Sequence, residues 1–307
     1  MSLETDLLLD RRRLKRRLVF WRSFAVLAVV AAVLVSVRGT GLSVGGAHVA
    51  RLSVSGLITE DRKLTEAIDK LAKDSAVKAL IVAINSPGGS VSGGESLHNA
   101  IARVGTAKPV VAVMGGLAAS AGYMVALPAD RIFARDSTLT GSIGVLLETG
   151  EFSGLLDKIG VTAEAITSGP LKDQPSFTHK LSPQGREVLH GLVGDMYEQF
   201  VGMVAAGRHM QPDAVRQLAD GRAYTGRQAL GLGLVDQIGE ERDARDWLAK
   251  NKGVASDLPT EDVTTTGFAA RTLGGTLGPM LDAVWKTLVS QSVKLDGAMA
   301  VWQRAGN

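Results

Sequence analysis

Apolar and polar residues change rhythm several times along this chain, and each change predicts an element. His48 to Val54 (HVARLSV) alternates, the period-two signature of a half-buried strand. Residues 61–74 carry Leu64, Ile68 and Leu71 at helical spacing among Lys, Asp and Glu. Ala76 to Ile84 (AVKALIVAI) is a nearly unbroken apolar run, as expected of a parallel strand covered on both faces. Asn85-Ser86-Pro87-Gly88-Gly89-Ser90 predicts a turn, residues 91–104 a helix, and Pro109 to Met114 a second buried strand. A further helix should begin at about Ser120, and Arg131 to Ala134 and Val161 to Thr167 read as strands. Ser182 as N-cap and Pro183 at the first position open a long amphipathic helix over residues 183–207. Strands that alternate with helices at this spacing argue for βαβ units and a mostly parallel sheet.

The two ends follow other patterns. Arg11 to Arg17 is basic; the apolar run Phe24 to Val37 follows, extended backward by Leu18 to Trp21 and interrupted by Arg22, so that residues 18–37 are predominantly apolar. At about 1.5 Å per residue this stretch is long enough for a hydrocarbon core of about 30 Å. Arg22 lies near the basic end, where its stem can carry the charge to the interface. A single-pass anchor is expected, with residues 1–17 in the cytoplasm and the rest of the chain outside. A cleaved signal peptide is the rival reading, but Val35-Ser36-Val37-Arg38 offers no Ala-x-Ala-like cleavage site. The expected organisation is a basic segment (1–17), an anchor (18–37), a linker (38–47), a main domain (48–250) and a C-terminal extension (251–307). In that extension, Val254 to Gly278 reads as a loose connector. Leu281, Val284, Leu288, Val289, Val293 and Leu295 then suggest an amphipathic helix.

Composition narrows the function. Of 307 residues, 45% are hydrophobic and only 5% aromatic, which argues against a base-stacking nucleic-acid surface. The net charge of +3 is an N-terminal property: residues 1–22 hold seven Lys/Arg and three Asp/Glu, leaving 27 against 28 in the remainder. Cysteine is absent, so disulfides are excluded. The five histidines (His48, His98, His179, His190, His209) have no metal-ligand spacing, and no metal or cofactor is called for.

Two segments carry the candidate chemistry. Gly115 to Tyr123 (GGLAASAGY) sets Ser120 among residues too small to hide it, and Thr167 to Lys172 (TSGPLK) offers a lysine in a Gly/Pro loop. A serine hydroxyl needs a base to become a nucleophile. No histidine is near Ser120 in sequence, and a desolvated lysine can fill that role. An ordinary lysine titrates near about 10.4, so a base at neutral pH needs about 4 kcal/mol in favour of the free amine. Each residue also has a plain structural alternative. Ser120 could simply cap a helix, Lys172 could be a solvated loop lysine, Ser142 a turn serine, and Pro87-Gly88-Gly89 an ordinary turn.

Taken together, six segments resemble the signal peptide peptidase A family of Ser-Lys proteases. They are Asn85 to Gly89, Ala118 to Tyr123, Thr140 to Val145, Ser168 to Lys172, Tyr224 to Ala229 and Gly231 to Asp236. The resemblance covers about residues 48–250, in the short, single-domain form. It implies an α/β fold of the Clp protease/crotonase type, a repeated β-β-α core with a mostly parallel sheet. It implies Ser120 as nucleophile, Lys172 as general base and then acid, and Ser142 as the hydroxyl that orients the amine. The backbone N–H groups of Gly89 and Ala121 would form the oxyanion hole. The family's usual Ser-Gly-Gly-Tyr is Ser120-Ala121-Gly122-Tyr123 here, which keeps the N–H. The resemblance also implies a membrane-bound homo-oligomer with active sites shared between protomers, remnant signal peptides as substrates, and no nucleic-acid partner. A crotonase-type acyl-CoA enzyme and a non-catalytic anchored scaffold are the competing readings.

Overall fold

A computed structural model describes Trp21, Phe24 and residues 46–263. Trp21 and Phe24 are helical and meet edge to face, their ring centroids 5.8 Å apart. The remainder of the anchor expected at 18–37, and the helix expected at 281–295, lie outside the described residues. Among the described residues no helix is long and apolar enough to cross a membrane.

From residue 48 the elements alternate as the sequence patterns predict. The first strands and helices are β1 (His48–Ile58), α1 (Arg62–Lys73), β2 (Val77–Gly89), α2 (Val91–Gly105) and β3 (Val110–Ala119). A short α3 (Ala121–Ala126) then leads to β4 (Arg131–Ala134) and β5 (Leu139–Gly141). After α4 (Ser153–Lys158) come the long α5 (Pro183–Arg208), α6 (Pro212–Leu218), β6 (Ala223–Thr225) and α7 (Gly226–Gly231). The series closes with β7 (Gln237–Ile238), α8 (Glu241–Lys252) and β8 (Thr260–Asp262). Ser182 caps α5 through its side chain, which accepts from the Gly185 N–H at 2.9 Å.

The strands form one sheet in the order β6-β5-β3-β2-β1-β8, with β4 pairing β3 and β7. Its ladders are parallel except for the antiparallel β5–β6 pair. Both faces are covered. Leu80, Val82 and Ile84 of β2 join the larger core on the side of α2, α3 and α5, while Ala79 and Ile81 pack with Ala244 and Leu248 of α8. Burial on both faces explains why AVKALIVAI lacks polar alternation.

Three readings of the pattern are corrected. Asn85 to Gly89 is no turn: it is the end of β2 and still pairs with β1 at Leu57 and Ile58. Val161 to Thr167 has strand-like alternation but joins no ladder, and Val161 and Ile166 are exposed. Alternation gives the shape of a strand, whereas a strand needs a neighbouring edge to bond. The connector expected from Val254 contains β8, which docks on the edge of β1 through Val49, Ala50 and Arg51.

Candidate active site

β3 changes neighbours along its length. It pairs with β4 at Val111 to Val113 and with β5 at Leu117 to Ala119. Ser120 follows immediately, at φ 55°, ψ −123°. A residue with a Cβ rarely adopts positive φ, and such strain, of order about 1–3 kcal/mol, persists only where the surroundings impose it. Here they do. The Ser120 N–H donates to the Gly141 carbonyl of β5 at 2.9 Å, and its own carbonyl accepts from the N–H groups of Tyr123 (2.8 Å) and Met124 (3.1 Å) in α3. Ser120 thus occupies the N-cap position through its backbone alone; its side chain makes no capping hydrogen bond. The hydroxyl is turned outward by a sharp strand-to-helix bend, a geometry suited to a nucleophile.

The small neighbours have a steric explanation. A Cβ on Gly88, itself at φ 111°, would lie 2.8 Å from the Ser120 Cβ. A Cβ on Gly122 would lie 3.0 Å from the Ser86 carbonyl oxygen. The end of β2 can therefore touch the start of α3 only because these side chains are missing.

Ser120 opens onto a groove of about 710 Å³, which Gly89 and Ser142 also line. Ser142, at φ 49°, is half-buried and held by its N–H, which donates to the Arg222 carbonyl at 2.9 Å. The opposite wall comes from α5, including His190, Val193 and Tyr197. The Ser90 N–H donates back to Ile58 of β1 at 2.9 Å. Because successive N–H groups of an extended strand point to opposite edges, that of Gly89 faces away from β1. Ala121 is buried as the first residue of α3, where N–H groups have no intrahelical partner.

Lys172 is placed elsewhere. It lies in an exposed turn, its N–H donating to the Gly169 carbonyl at 3.1 Å, and it is not among the residues lining the groove. The structure thus gathers Ser120, Ser142, Gly89 and Ala121 but leaves Lys172 outside the groove of its own chain. Lys172 belongs to an arm between residues 146 and 181 that bears α4, several exposed apolar side chains and few buried ones.

A buckle beneath α3 escaped the sequence reading. The fully buried Tyr123 hydroxyl donates to the Leu234 carbonyl at 2.7 Å, and burial pushes the phenol well above its ordinary range. Next to it the Arg208 guanidinium grips both Asp236 oxygens, at 2.6 and 3.0 Å. Burial alone would raise the Asp236 carboxyl, but Arg208 and the Ile132 N–H, 2.8 Å away, hold it below the usual carboxylate range. His98, on α2, faces α3 with Nδ1 3.0 Å from the Met124 carbonyl, and burial lowers its affinity for a proton. Tyr123 and Asp236 lie inside recognised segments, whereas Arg208 lies in none. Among the described residues no group of His, Asp and Glu is disposed to hold a metal ion.

The arrangement has relatives. The sequence profile of peptidase family S49 matches residues 102–255, and that of Clp protease matches residues 58–143. A Synechocystis protein named "Putative protease slr0021" is 41% identical over 210 residues, covering 68% of this chain and 76% of the relative. The "Putative signal peptide peptidase SppA" of Enterococcus faecium is 36% identical over 274 residues, covering 84% of this chain and 77% of the relative. "Protease 4" of Salmonella typhi is 36% identical over 212 residues, which are 68% of this chain and 34% of that longer protein. A Clp protease-like α/β sheet, the S49 match and these relatives agree. This chain belongs to peptidase family S49, the signal peptide peptidase A family of serine peptidases.

Proposed function

We propose that this serine peptidase is a membrane-anchored endopeptidase in which Ser120 and Lys172 form the catalytic dyad. The posture of Ser120 carries the reading: a strained strand-to-helix junction directs a hydroxyl with no capping role into an open groove. In this mechanism the Lys172 amine takes the Ser120 proton as Oγ attacks the scissile carbonyl. The N–H groups of Gly89 and Ala121 receive the oxyanion. Lys172 then protonates the leaving amine, and a water activated by the same amine hydrolyses the acyl-serine. Ser142, on the groove wall, orients the amine.

The exposed position of Lys172 suits a homo-oligomer in which the amine of one protomer enters the groove of the next. The apolar groove residues Val91, Val145, Leu146 and Val193 suit small or apolar peptide segments, and remnant signal peptides are the proposed substrates. Residues 18–37 are the proposed single-pass anchor. They leave residues 1–17 in the cytoplasm and the peptidase domain (48–250) at the outer face of the membrane.

The test is cleavage of an apolar fluorogenic peptide by the full-length protein in detergent, beside Ser120→Ala and Lys172→Ala. Each variant should be inactive alone. A dissociated and reassembled equal mixture should regain up to about a quarter of wild-type activity, because both intact residues then meet at some interfaces. Full activity in either single variant would overturn the dyad, and a mixture that stays inactive would overturn the shared site.

A further inference from the structure

β2 leaves its ladder on both sides at the same place. Towards β1, Ser55 pairs with Asn85 but Leu57 pairs with Gly88, so the single residue Gly56 faces both Ser86 and Pro87. Towards β3, Ile84 pairs with Met114 but Ser86 pairs with Ala118, so Asn85 faces Gly115, Gly116 and Leu117. Pro87 has no N–H to offer either neighbour. A sheet broken on both sides of a central strand should be loose there, yet this is the segment that delivers Gly88 and Gly89 to Ser120.

Two adjacent side chains replace the missing ladder bonds. The Asn85 Oδ1 accepts from the Leu117 N–H at 3.2 Å, tying β2 to β3 three residues before Ser120. The Ser86 hydroxyl, fully buried, donates to the Gly56 carbonyl of β1 at 2.6 Å and accepts from the Gly88 N–H at 3.0 Å. Asn85 is exposed and Ser86 buried, so the two act on different sides of the strand. One pins the strand end laterally to the nucleophile's strand. The other pins the Gly88 backbone from below.

We propose that Asn85 and Ser86 are positioning residues that hold the end of β2 against Ser120, so that losing either one slows turnover rather than weakening substrate binding. The inference rests on the reading that Ser120 attacks and Gly89 donates to the oxyanion. A bond that only stabilised the fold would lower the melting temperature. One that aims a donor acts where negative charge develops, and a misplaced oxyanion donor typically costs up to about 10²–10³ in rate.

The experiment uses full-length, detergent-solubilised enzyme and four variants: Ser86→Ala, Asn85→Ala, Asn85→Asp and Ser120→Ala. It measures kcat, KM, melting temperature and inhibition by a peptide boronic acid, a mimic of the tetrahedral oxyanion. Asn85→Ala should lower kcat about tenfold and Ser86→Ala about 10²-fold, with KM within about twofold and boronate affinity falling in parallel with kcat. Asn85→Asp keeps the accepting oxygen at an exposed position and should recover kcat to within about threefold of wild type. If burial at 86 makes Ser86→Ala unfold, the Asn85 pair decides. Wild-type kcat in Asn85→Ala and in a folded Ser86→Ala, with Ser120→Ala inactive, would overturn the inference while leaving the nucleophile assignment standing. So would loss in Asn85→Ala that Asn85→Asp does not restore. Activity in Ser120→Ala would overturn the nucleophile reading and the inference together.

Discussion

Between Val77 and Ala126 no large apolar side chain is exposed, whereas between Leu146 and Phe177 eight are, with Ile166 at 96%. The first region runs from β2 through α2 and β3 to α3, the nucleophile's helix. Its apolar side chains are packed within the same chain. The second is the arm that carries Lys172. It has one short helix, no ladder and a surface that water solvates poorly. Exposed apolar side chains in such number suit a contact surface. The same chain thus holds one region packed on itself and one whose apolar side chains face outward, a surface that the proposed function assigns to a second protomer.

A matched pair of substitutions breaks the comparison most sharply. Ile84 is 1% exposed in β2, and Ile84→Ala should cost about 2–5 kcal/mol of stability through lost transfer energy and a cavity. Denaturant unfolding of a fragment spanning residues 46–263 measures it. A cost below 1 kcal/mol would mean that the sheet end is not the rigid half of the molecule.

The contrast also explains what was legible in the sequence. AVKALIVAI declares a two-sided strand because six of its nine positions, on both faces, are buried by the same chain. Ser182-Pro183 announces α5 because capping is local. Asn85 to Gly89 misled because Pro-Gly-Gly is turn chemistry, used here to interrupt a strand from within. Val161 to Thr167 misled for the opposite reason: its alternation is real, but the edge that would make it a strand is absent from the described chain. β8 was too short to show a period. Ser120 was legible through its small neighbours, whose role is the close approach of Gly88 and Gly122. Lys172 could be singled out by its loop and the family resemblance, but its surroundings could not. The Arg208–Asp236 pair joins residues 28 apart in sequence and leaves no local trace.

That pair offers the next test. Asp236→Asn removes the charge that Arg208 grips and should cost about 1.5–3 kcal/mol at neutral pH. The sign with pH follows from the depressed carboxyl. Its contribution is fully present above the unfolded carboxylate value, near about 3.9, and is lost as pH falls through the lower folded value. The stability gap between wild type and Asp236→Asn should therefore narrow below about pH 4 in urea titrations, and a gap that widens in acid would contradict this assignment.

Tyr123→Phe comes next in size. It leaves the Leu234 carbonyl without its buried donor and should cost about 1–2 kcal/mol, seen as a lower melting temperature. Because Ser120 is the N-cap of α3, kcat should fall as well. Unchanged stability would mean that the buckle does not tie α3 to the segment after α7.

The smallest expected effect on stability is the most informative about the arm. Ile166→Ala, the same chemical change as Ile84→Ala, should alter the unfolding free energy of the same isolated fragment by less than about 0.5 kcal/mol, since its side chain already faces water. Its consequence should surface only on assembly. At protein concentrations where wild type is oligomeric, the variant should dissociate more readily in analytical ultracentrifugation, and peptidase activity should fall with the oligomer fraction. Measuring both on one sample separates the two halves of the comparison. A variant that loses monomer stability would place Ile166 in a core of its own chain. One that keeps stability, assembly and activity would show that the apolar side chains of the arm are not written for a neighbour, and the active site would have to be completed within one chain.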